Sequence, residues 1–118
     1  MTPTETVAAA EAVHAAVDMD RIMDLFQDDV IFYWNGKVKA RNKTELQRWY
    51  EEEYFANIRK YEITKSLRAA AGDTLTVEWR SKKTDPDGRM SEEFGMEIWF
   101  LHAGRLREWR AQATEYPL

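Results

Sequence analysis

The chain has 118 residues, of which 44% are apolar and 32% charged, and its formal net charge is −4. This length is enough for one compact domain, residues 1–118, and too short for two. An acidic balance with no basic block gives no reason to expect nucleic acid as a partner. The chain has no cysteine, which excludes disulfides and thiolate metal sites and fits a cytoplasmic location.

No segment near the N-terminus has the features of a signal peptide or a membrane span. The longest apolar run there, TVAAAEAV, is short and is interrupted by Glu11. A spanning helix needs about 20 apolar residues. We therefore expect no membrane partner.

The first third of the chain predicts two helices followed by a strand. Residues 4–16 are rich in alanine, and Asp18 then suits the N-cap of a second helix that runs to Phe26. The first helix has an apolar stripe at helical spacing that consists of Val7, Ala10, His14 and Val17. The β-branched and aromatic segment DDVIFYWNG predicts a strand that ends in an Asn-Gly turn.

A third helix and four strands complete the predicted order. The segment NKTELQRWYEEEYF restarts a helix, with Asn42 and Glu45 spaced as a capping box. Four strands are predicted over KYEITKSLRA, TLTVEWRSKK, SEEFGMEIWFLH and RLREWRAQAT, with turns at AGD, DPDG and AG. The order α-α-β-α-β-β-β-β predicts an α+β fold whose N-terminal helices pack in a curved antiparallel sheet.

Tight turns at DPDG and Ala103-Gly104 predict the register of the last three strands. In this register Thr84 faces Arg89 and Trp79 faces Phe94 across the first turn. Across the second, His102 faces Arg105, Ile98 faces Trp109 and Glu97 faces Arg110. The face expected to meet the helices is apolar and carries Leu75, Val77, Trp79, Phe94, Met96, Ile98, Phe100, Trp109, Ala111 and Ala113. The opposite face is a charged ladder of Glu78, Arg80, Glu93, Glu97, Trp99, Glu108 and Arg110. The centre of the inward face is therefore expected to contain no acid or base.

The segments DMDRIMDLFQDDVIF and EIWFLHAGRLREW, taken with the element order, resemble the SnoaL-like group of the nuclear transport factor 2-like superfamily. GMEIWF and REWRAQATEYPL are most similar to a bacterial SnoaL-like family of unknown function. The resemblance covers nearly the whole chain. It implies a cone-shaped α+β barrel whose open end forms a pocket, in most members as part of a dimer. The activities that it implies are isomerisation, aldol cyclisation, dehydration and epoxide hydrolysis, and many members are non-catalytic.

The resemblance also implies where catalytic groups would lie. The matching positions here are Ala10, Trp34, Trp79, Ser81, Met96 and Ala111. None of these side chains is a titratable acid or base. We therefore expect the usual catalytic acids of the family to be absent, and no specific activity transfers.

Three other residues are candidates for acid–base chemistry. His14 lies on the apolar stripe of the first helix, Asp29 begins the first strand, and Tyr54 lies on the third helix. The structural alternatives are a core histidine, a turn or capping acid and a rim aromatic. Neither His14 nor His102 has a carboxylate at ligand spacing, so we expect no metal and no cofactor.

The abundance of aromatic residues predicts a pocket for an apolar or aromatic small molecule. Its expected lining is Phe32, Trp34, Trp49, Tyr54, Trp79, Met96, Ile98 and Trp109. The alternatives are an acid–base enzyme (a lyase, isomerase, cyclase or hydrolase) that acts on a hydrophobic substrate, and a structural dimer with a filled cone. A cavity above about 300 Å³ would favour a ligand, and His14 beside a tyrosine hydroxyl would favour an enzyme.

The charged ladder predicts a homodimer interface. Trp99 lies in its midst, and a large aromatic residue on an open face is a common interface anchor. We expect a homodimer through the outer sheet face, with Glu97, Trp99 and Arg110 at the contact.

Overall fold

The computed structural model describes all 118 residues and has the predicted cone-like α+β fold. The helices are α1 (Pro3–Ala15), α2 (Met19–Met23) and α3 (Lys43–Trp49), and a π-helical turn (Tyr50–Tyr54) continues α3. The strands are β1 (Phe26–Trp34), β2 (Lys37–Ala40), β3 (Lys60–Ala71), β4 (Thr74–Thr84), β5 (Met90–His102) and β6 (Arg105–Pro117). They form one sheet in the order β2-β1-β6-β5-β4-β3, with β1 and β6 parallel and the other pairs antiparallel.

Local side-chain chemistry sets the helix boundaries. Asp18 caps α2, as predicted, by accepting a hydrogen bond from the Arg21 N–H. Asn42 caps α3 by accepting from the Glu45 N–H. The Glu45 carboxylate accepts from the Arg41 N–H instead of completing the predicted capping box. None of the helices has the length and apolar character that crossing a bilayer requires.

The short strand β2 was not predicted. It pairs with β1 through a hairpin at Asn35 and Gly36, whose φ angles are 50° and 82°. A two-residue hairpin with a type I′ turn requires positive φ angles at both central residues, and Asn-Gly adopts them readily. The hairpin carries the chain over the edge of the sheet from Trp34 towards α3.

The loop between β4 and β5 is one residue longer than predicted. Residues 85–89 form it, so Thr84 faces Met90 instead of Arg89. Every residue of β5 is therefore displaced by one position relative to β4.

The turn between β5 and β6 has the predicted pair, His102 opposite Arg105. A bulge between Phe100 and Leu101 then shifts the register, because Phe100 pairs with Glu108 and Leu101 pairs with Leu106. Because side chains alternate along a strand, this one-residue shift moves β5 relative to β6 as well.

These two shifts invert β5, while β4 and β6 keep their predicted faces. Glu93, Glu97 and Trp99 lie inside the cone, each 2% exposed. Met96 and Ile98 lie outside and are 44% and 39% exposed. The predictions that Met96 and Ile98 line a pocket, and that Glu97 and Trp99 form an outer interface, are therefore wrong. The expectation that the inward face lacks acids is wrong for the same reason.

Candidate functional site

The interior of the cone is almost filled. Its central cavity has a volume of about 10 Å³, roughly the space that one water needs. The residues around it are His14, Trp34, Trp49, Tyr50, Tyr54, Tyr61, Ile63, Lys65, Trp79, Glu97 and Trp109. Small-molecule sites usually exceed about 300 Å³, so a ligand enters this cavity only if rings move.

Five of the predicted lining residues meet at this cavity: Trp34, Trp49, Tyr54, Trp79 and Trp109. Phe32 lies behind them and is fully buried. Its ring centroid is 4.3 Å from that of Trp109 and 4.6 Å from that of Trp49. Phe32 therefore supports the wall and does not face the cavity.

A buried ion pair lies on one side of the cavity. The Lys65 ammonium is 2.7 Å from Glu97 Oε2, and their side chains are 3% and 1% exposed. Glu97 Oε1 also accepts from the indole N–H groups of Trp99 at 3.0 Å and Trp109 at 2.7 Å. The ammonium lies 5.3 Å from the ring centroid of Trp79. A buried carboxylate is tolerated here because a counter-ion and two further donors replace its hydration.

The second buried carboxylate, Glu93, accepts hydrogen bonds from four side chains. Its Oε1 accepts from the Tyr54 hydroxyl at 2.6 Å, the Trp79 indole at 2.9 Å and the Ser81 hydroxyl at 3.1 Å. Its Oε2 accepts from Lys83 Nζ at 3.1 Å. Three of the four donors bind Oε1, and Lys83 alone binds Oε2. Glu93 therefore orients Tyr54 and Trp79 and is paired with the Lys83 ammonium.

Gly95 lies between the two glutamates on β5 and is required there. A Cβ at this position would overlap the ring of Trp79, which lies flat against the strand. The close approach lets the Trp79 indole reach Glu93. Because glycine has no side chain, the ring of Trp79 can occupy the space that a side chain at position 95 would take.

His14 forms a neutral pair with Tyr50 on the helix side of the cavity. His14 Nδ1 is 2.8 Å from the Ala10 carbonyl, which only accepts, so Nδ1 carries the proton. Nε2 is then the acceptor for the Tyr50 hydroxyl, at 2.8 Å. Burial, and secondarily the charge of Lys65, lowers the pKa of His14 to about 3. Burial, followed by the charge of Glu97, raises the pKa of Tyr50 well above its usual value.

A second tyrosine pair lies beside Glu93. The Tyr54 hydroxyl donates to Glu93, so it accepts from the Tyr61 hydroxyl, 2.8 Å away. Burial is the main cause that raises the pKa of both phenols, so both are neutral. Tyr50 and Tyr54 are the two ends of the π-helical turn, which closes with a 2.8 Å bond from the Phe55 N–H to the Tyr50 carbonyl. Such turns occur frequently at functional sites.

A cleft of about 350 Å³, which we call the mouth cleft, opens beside the interior cavity. It is lined by Trp34, Asn35, Lys39, Trp49, Glu53, Tyr54, Lys83, Glu93, Ala113 and Glu115. Trp34, Trp49 and Tyr54 line both voids, and the distances between their ring centroids are 5.2, 5.9 and 5.2 Å. These three rings, the ring wall, therefore separate the mouth cleft from the interior.

The largest concavity, an outer groove of about 520 Å³, lies on the other face of the sheet. Met96 and Ile98 contribute its apolar surface. The Arg110 guanidinium is 4.0 Å from the ring centroid of Tyr33, which is also part of the groove. Arg110 is thus on the predicted outer face, opposite Ile98 instead of Glu97.

The structure does not bring the other sequence candidates into the site. Asp29 is exposed on β1, and His102 is exposed at the β5–β6 turn. No group of three or more histidine, aspartate or glutamate side chains is placed to hold a metal ion.

Sequence reasoning missed Glu93, Glu97 and Lys65. The signal that could have found the glutamates is the number of tryptophans, because a buried indole N–H needs an acceptor. Gly95 was a second signal, since a glycine in the middle of a strand often marks a close approach by another group.

Comparison with known proteins identifies the family of the chain. The model of the SnoaL-like domain matches residues 7–109. A search of curated proteins finds no significant match.

Several solved structures share the fold. A putative polyketide cyclase from Pseudomonas putida KT2440 is 20% identical with a TM-score of 0.79, over 94% of this chain and 90% of that one. A nuclear transport factor 2-like protein of unknown function from Exiguobacterium sp. 255-15 is 18% identical with a TM-score of 0.75, over 96% and 98%. A hypothetical protein with a ketosteroid isomerase-like fold from Catenulispora acidiphila DSM 44928, solved in complex with trimethylamine, is 17% identical with a TM-score of 0.77, over 94% and 85%. At these identities the likeness shows the fold alone.

Proposed function

The chain belongs to the SnoaL-like domain family, and on that premise we propose that it binds a small, flat, apolar or aromatic molecule in the mouth cleft. The observation that carries this proposal is the ring wall of Trp34, Trp49 and Tyr54 beside a cleft of about 350 Å³. That volume is within the range of small-molecule sites. Aromatic rings provide a large contact area and favour stacking by another ring.

Tryptophan fluorescence tests this proposal. Titration with a panel of steroid, terpene and polyketide-like aromatic ligands is expected to change the emission saturably for at least one of them. Trp34→Ala should weaken the binding of that ligand about tenfold, because stacking area is lost. The matched control is Trp99→Phe, since Trp99 is 2% exposed and does not line the mouth cleft. No saturable change with any ligand, or unchanged affinity in Trp34→Ala, would contradict the proposal.

A second candidate function is an acid–base reaction in the interior. The observation that favours it is the 2.8 Å contact between His14 Nε2 and the Tyr50 hydroxyl, beside the Lys65–Glu97 pair. The ring wall would have to move to admit a substrate, because the cavity is only about 10 Å³. Turnover assays on any ligand that the titration identifies distinguish this candidate from binding alone.

We also propose a homodimer through the outer sheet face, with Met96 and Ile98 as its apolar anchors. Both are more than one-third exposed, in the centre of β5, and they line the outer groove beside Arg110. Exposed apolar side chains grouped in a concave surface favour a protein contact.

Sedimentation velocity at micromolar concentration is expected to find a dimer of the wild-type chain. The double variant Met96→Glu/Ile98→Glu should sediment as a monomer, because it places charges in the apolar centre of the contact. Val17→Glu is the control, since Val17 is 41% exposed but lies at the end of α1, outside the outer groove. A wild-type monomer, or a dimer that survives the double substitution, would contradict this interface.

A further inference from the structure

We propose that the indole N–H groups of Trp34 and Trp49 donate hydrogen bonds to the ligand. The site would then select flat molecules that carry an acceptor oxygen. This inference rests on the proposed function and specifies which molecules the mouth cleft favours. Trp34 and Trp49 would then bind the ligand by hydrogen bonds as well as by stacking.

The five tryptophans differ in what their indole N–H groups bind. Trp79 donates to Glu93 at 2.9 Å, and Trp99 and Trp109 donate to Glu97 at 3.0 and 2.7 Å. These three N–H groups are fixed inside the protein by the two buried carboxylates.

The indole N–H groups of Trp34 and Trp49 have no hydrogen-bond acceptor within the chain. Every fully buried side-chain nitrogen or oxygen in the structure has a hydrogen-bond partner. Since these two N–H groups have none, neither of them is fully buried. Trp49 is only 5% exposed, and its N–H belongs to that small accessible part. Both residues line the mouth cleft and the interior cavity. These two accessible N–H groups are therefore the indole donors of the ring wall that remain available to a ligand in the mouth cleft.

The other polar groups of the mouth cleft also favour an acceptor on the ligand. Glu93 accepts from four donors, including the Tyr54 hydroxyl and the Lys83 ammonium, so its charge is already paired. Lys83 is held by Glu93 and Glu115 at 3.1 and 3.3 Å. Asn35 Oδ1 accepts from the Ala113 N–H at 2.8 Å, which leaves its amide N–H groups free.

The part of the cleft beside the ring wall thus offers free donors, and its carboxylates, Glu93 and Glu115, are both paired with Lys83. Glu53 has no partner, but it lies on the exposed rim. A ligand that covers an N–H without offering it an acceptor leaves a buried donor unpaired, which is costly. The class that fits is a conjugated ring system bearing a carbonyl, ether or phenolate oxygen.

A matched pair of probes tests this preference. 2-Acetylnaphthalene and 2-ethylnaphthalene share a ring system and a similar shape, and only the first carries an acceptor. Equilibrium dialysis should find that the wild-type protein binds the acetyl compound roughly three- to tenfold more tightly. Trp34→Phe and Trp49→Phe keep an aromatic ring and remove the N–H, so at least one should bring the ratio towards one. Trp99→Phe should keep the wild-type ratio, because that N–H is bound to Glu97.

The indole resonances of the ¹⁵N-labelled wild-type protein give a second measurement, which does not depend on the folding of a variant. Five indole N–H resonances are expected, one for each tryptophan. Those of Trp34 and Trp49 should exchange with solvent fastest and should shift downfield on addition of the acetyl compound. The ethyl compound should not produce the downfield shift.

The outcomes separate the inference from the proposed function. Equal affinity for the two probes would overturn the inference and leave ligand binding in the mouth cleft intact. A preference for the acetyl compound that survives both Trp34→Phe and Trp49→Phe would also overturn it. Binding of neither probe up to its solubility limit would count against the inference and the proposed function together.

Discussion

Replacing Lys65 by methionine is expected to lower the free energy of unfolding by about 3–5 kcal/mol. The substitution keeps an unbranched side chain that is one atom shorter, and it removes the charge. Glu97, 1% exposed, would then be a buried carboxylate without a counter-ion, with only the two indole donors left. Urea denaturation at pH 7, followed by circular dichroism, measures the loss.

Two further variants show whether burial of the pair is the cause. Lys65→Met/Glu97→Gln removes both charges and keeps an acceptor for the two indoles, so it should recover a large part of the loss. Lys60→Met breaks the Lys60–Glu62 pair, whose side chains are 68% and 55% exposed, and should cost less than about 1 kcal/mol. If Lys65→Met costs no more than Lys60→Met, the Lys65–Glu97 pair is not desolvated in solution.

The elements that depend on local chemistry could be predicted from the sequence. Asp18 and Asn42 begin helices because their side chains accept backbone N–H bonds one turn ahead. Trp79 on β4 and Trp109 on β6 face inward as expected, because each belongs to a regular alternation of apolar and polar residues. These signals act within a few residues and need no knowledge of the partner strand.

The orientation of β5 could not be predicted, because it depends on where two irregularities fall. One extra loop residue before Met90 and one bulge at Phe100 each move the strand by a single position. The hydrophobic pattern favoured the wrong face, since it placed Met96 and Ile98 inside and Glu97 outside. The actual register satisfies the indole N–H groups of Trp79, Trp99 and Trp109, a requirement that no count of apolar residues includes.

The candidate site was predicted in its aromatic part and missed in its charged part. Trp34, Trp49 and Tyr54 were expected to line a pocket, and they form the wall between the cavity and the mouth cleft. Glu93 and Glu97 were excluded from the interior because the predicted register placed them on the outer face. Most of their partners come from other elements, so the pairing that makes them tolerable exists only in the folded chain.

Below pH 6.5, His14 is expected to make the protein less stable as the pH falls. The imidazole is neutral in the folded protein down to a pKa of about 3, whereas the ordinary value is 6.5. Between these two pH values, His14 is protonated in the unfolded chain and neutral in the folded protein. Stability should therefore be unaffected above pH 6.5 and fall by up to about 1.4 kcal/mol per pH unit below it, or roughly 3 kcal/mol by pH 4.

Unfolding free energies of His14→Gln at pH 7, 6, 5 and 4 check this assignment. The variant removes the titrating group and keeps an amide that can accept from Tyr50, so its stability should vary less with pH than that of the wild type. His102→Gln is the matched control, because His102 is exposed, and it should keep the wild-type slope. The other titratable groups are the same in the wild type and in His14→Gln, so the difference in slope isolates His14. Equal slopes for His14→Gln and the wild type would contradict a buried, neutral imidazole.

The same low pKa limits what His14 could do in a reaction. An imidazole with a pKa of about 3 is a weak base, and at neutral pH it is not the imidazolium that a general acid requires. His14 therefore serves as a hydrogen-bond acceptor that fixes the direction of the Tyr50 hydroxyl. If the interior supports catalysis, His14 would position Tyr50, and the rate between pH 5 and 8 should not follow a histidine titration. A rate that follows one with a pKa near 6.5 would require the ring wall to open and hydrate His14 during turnover.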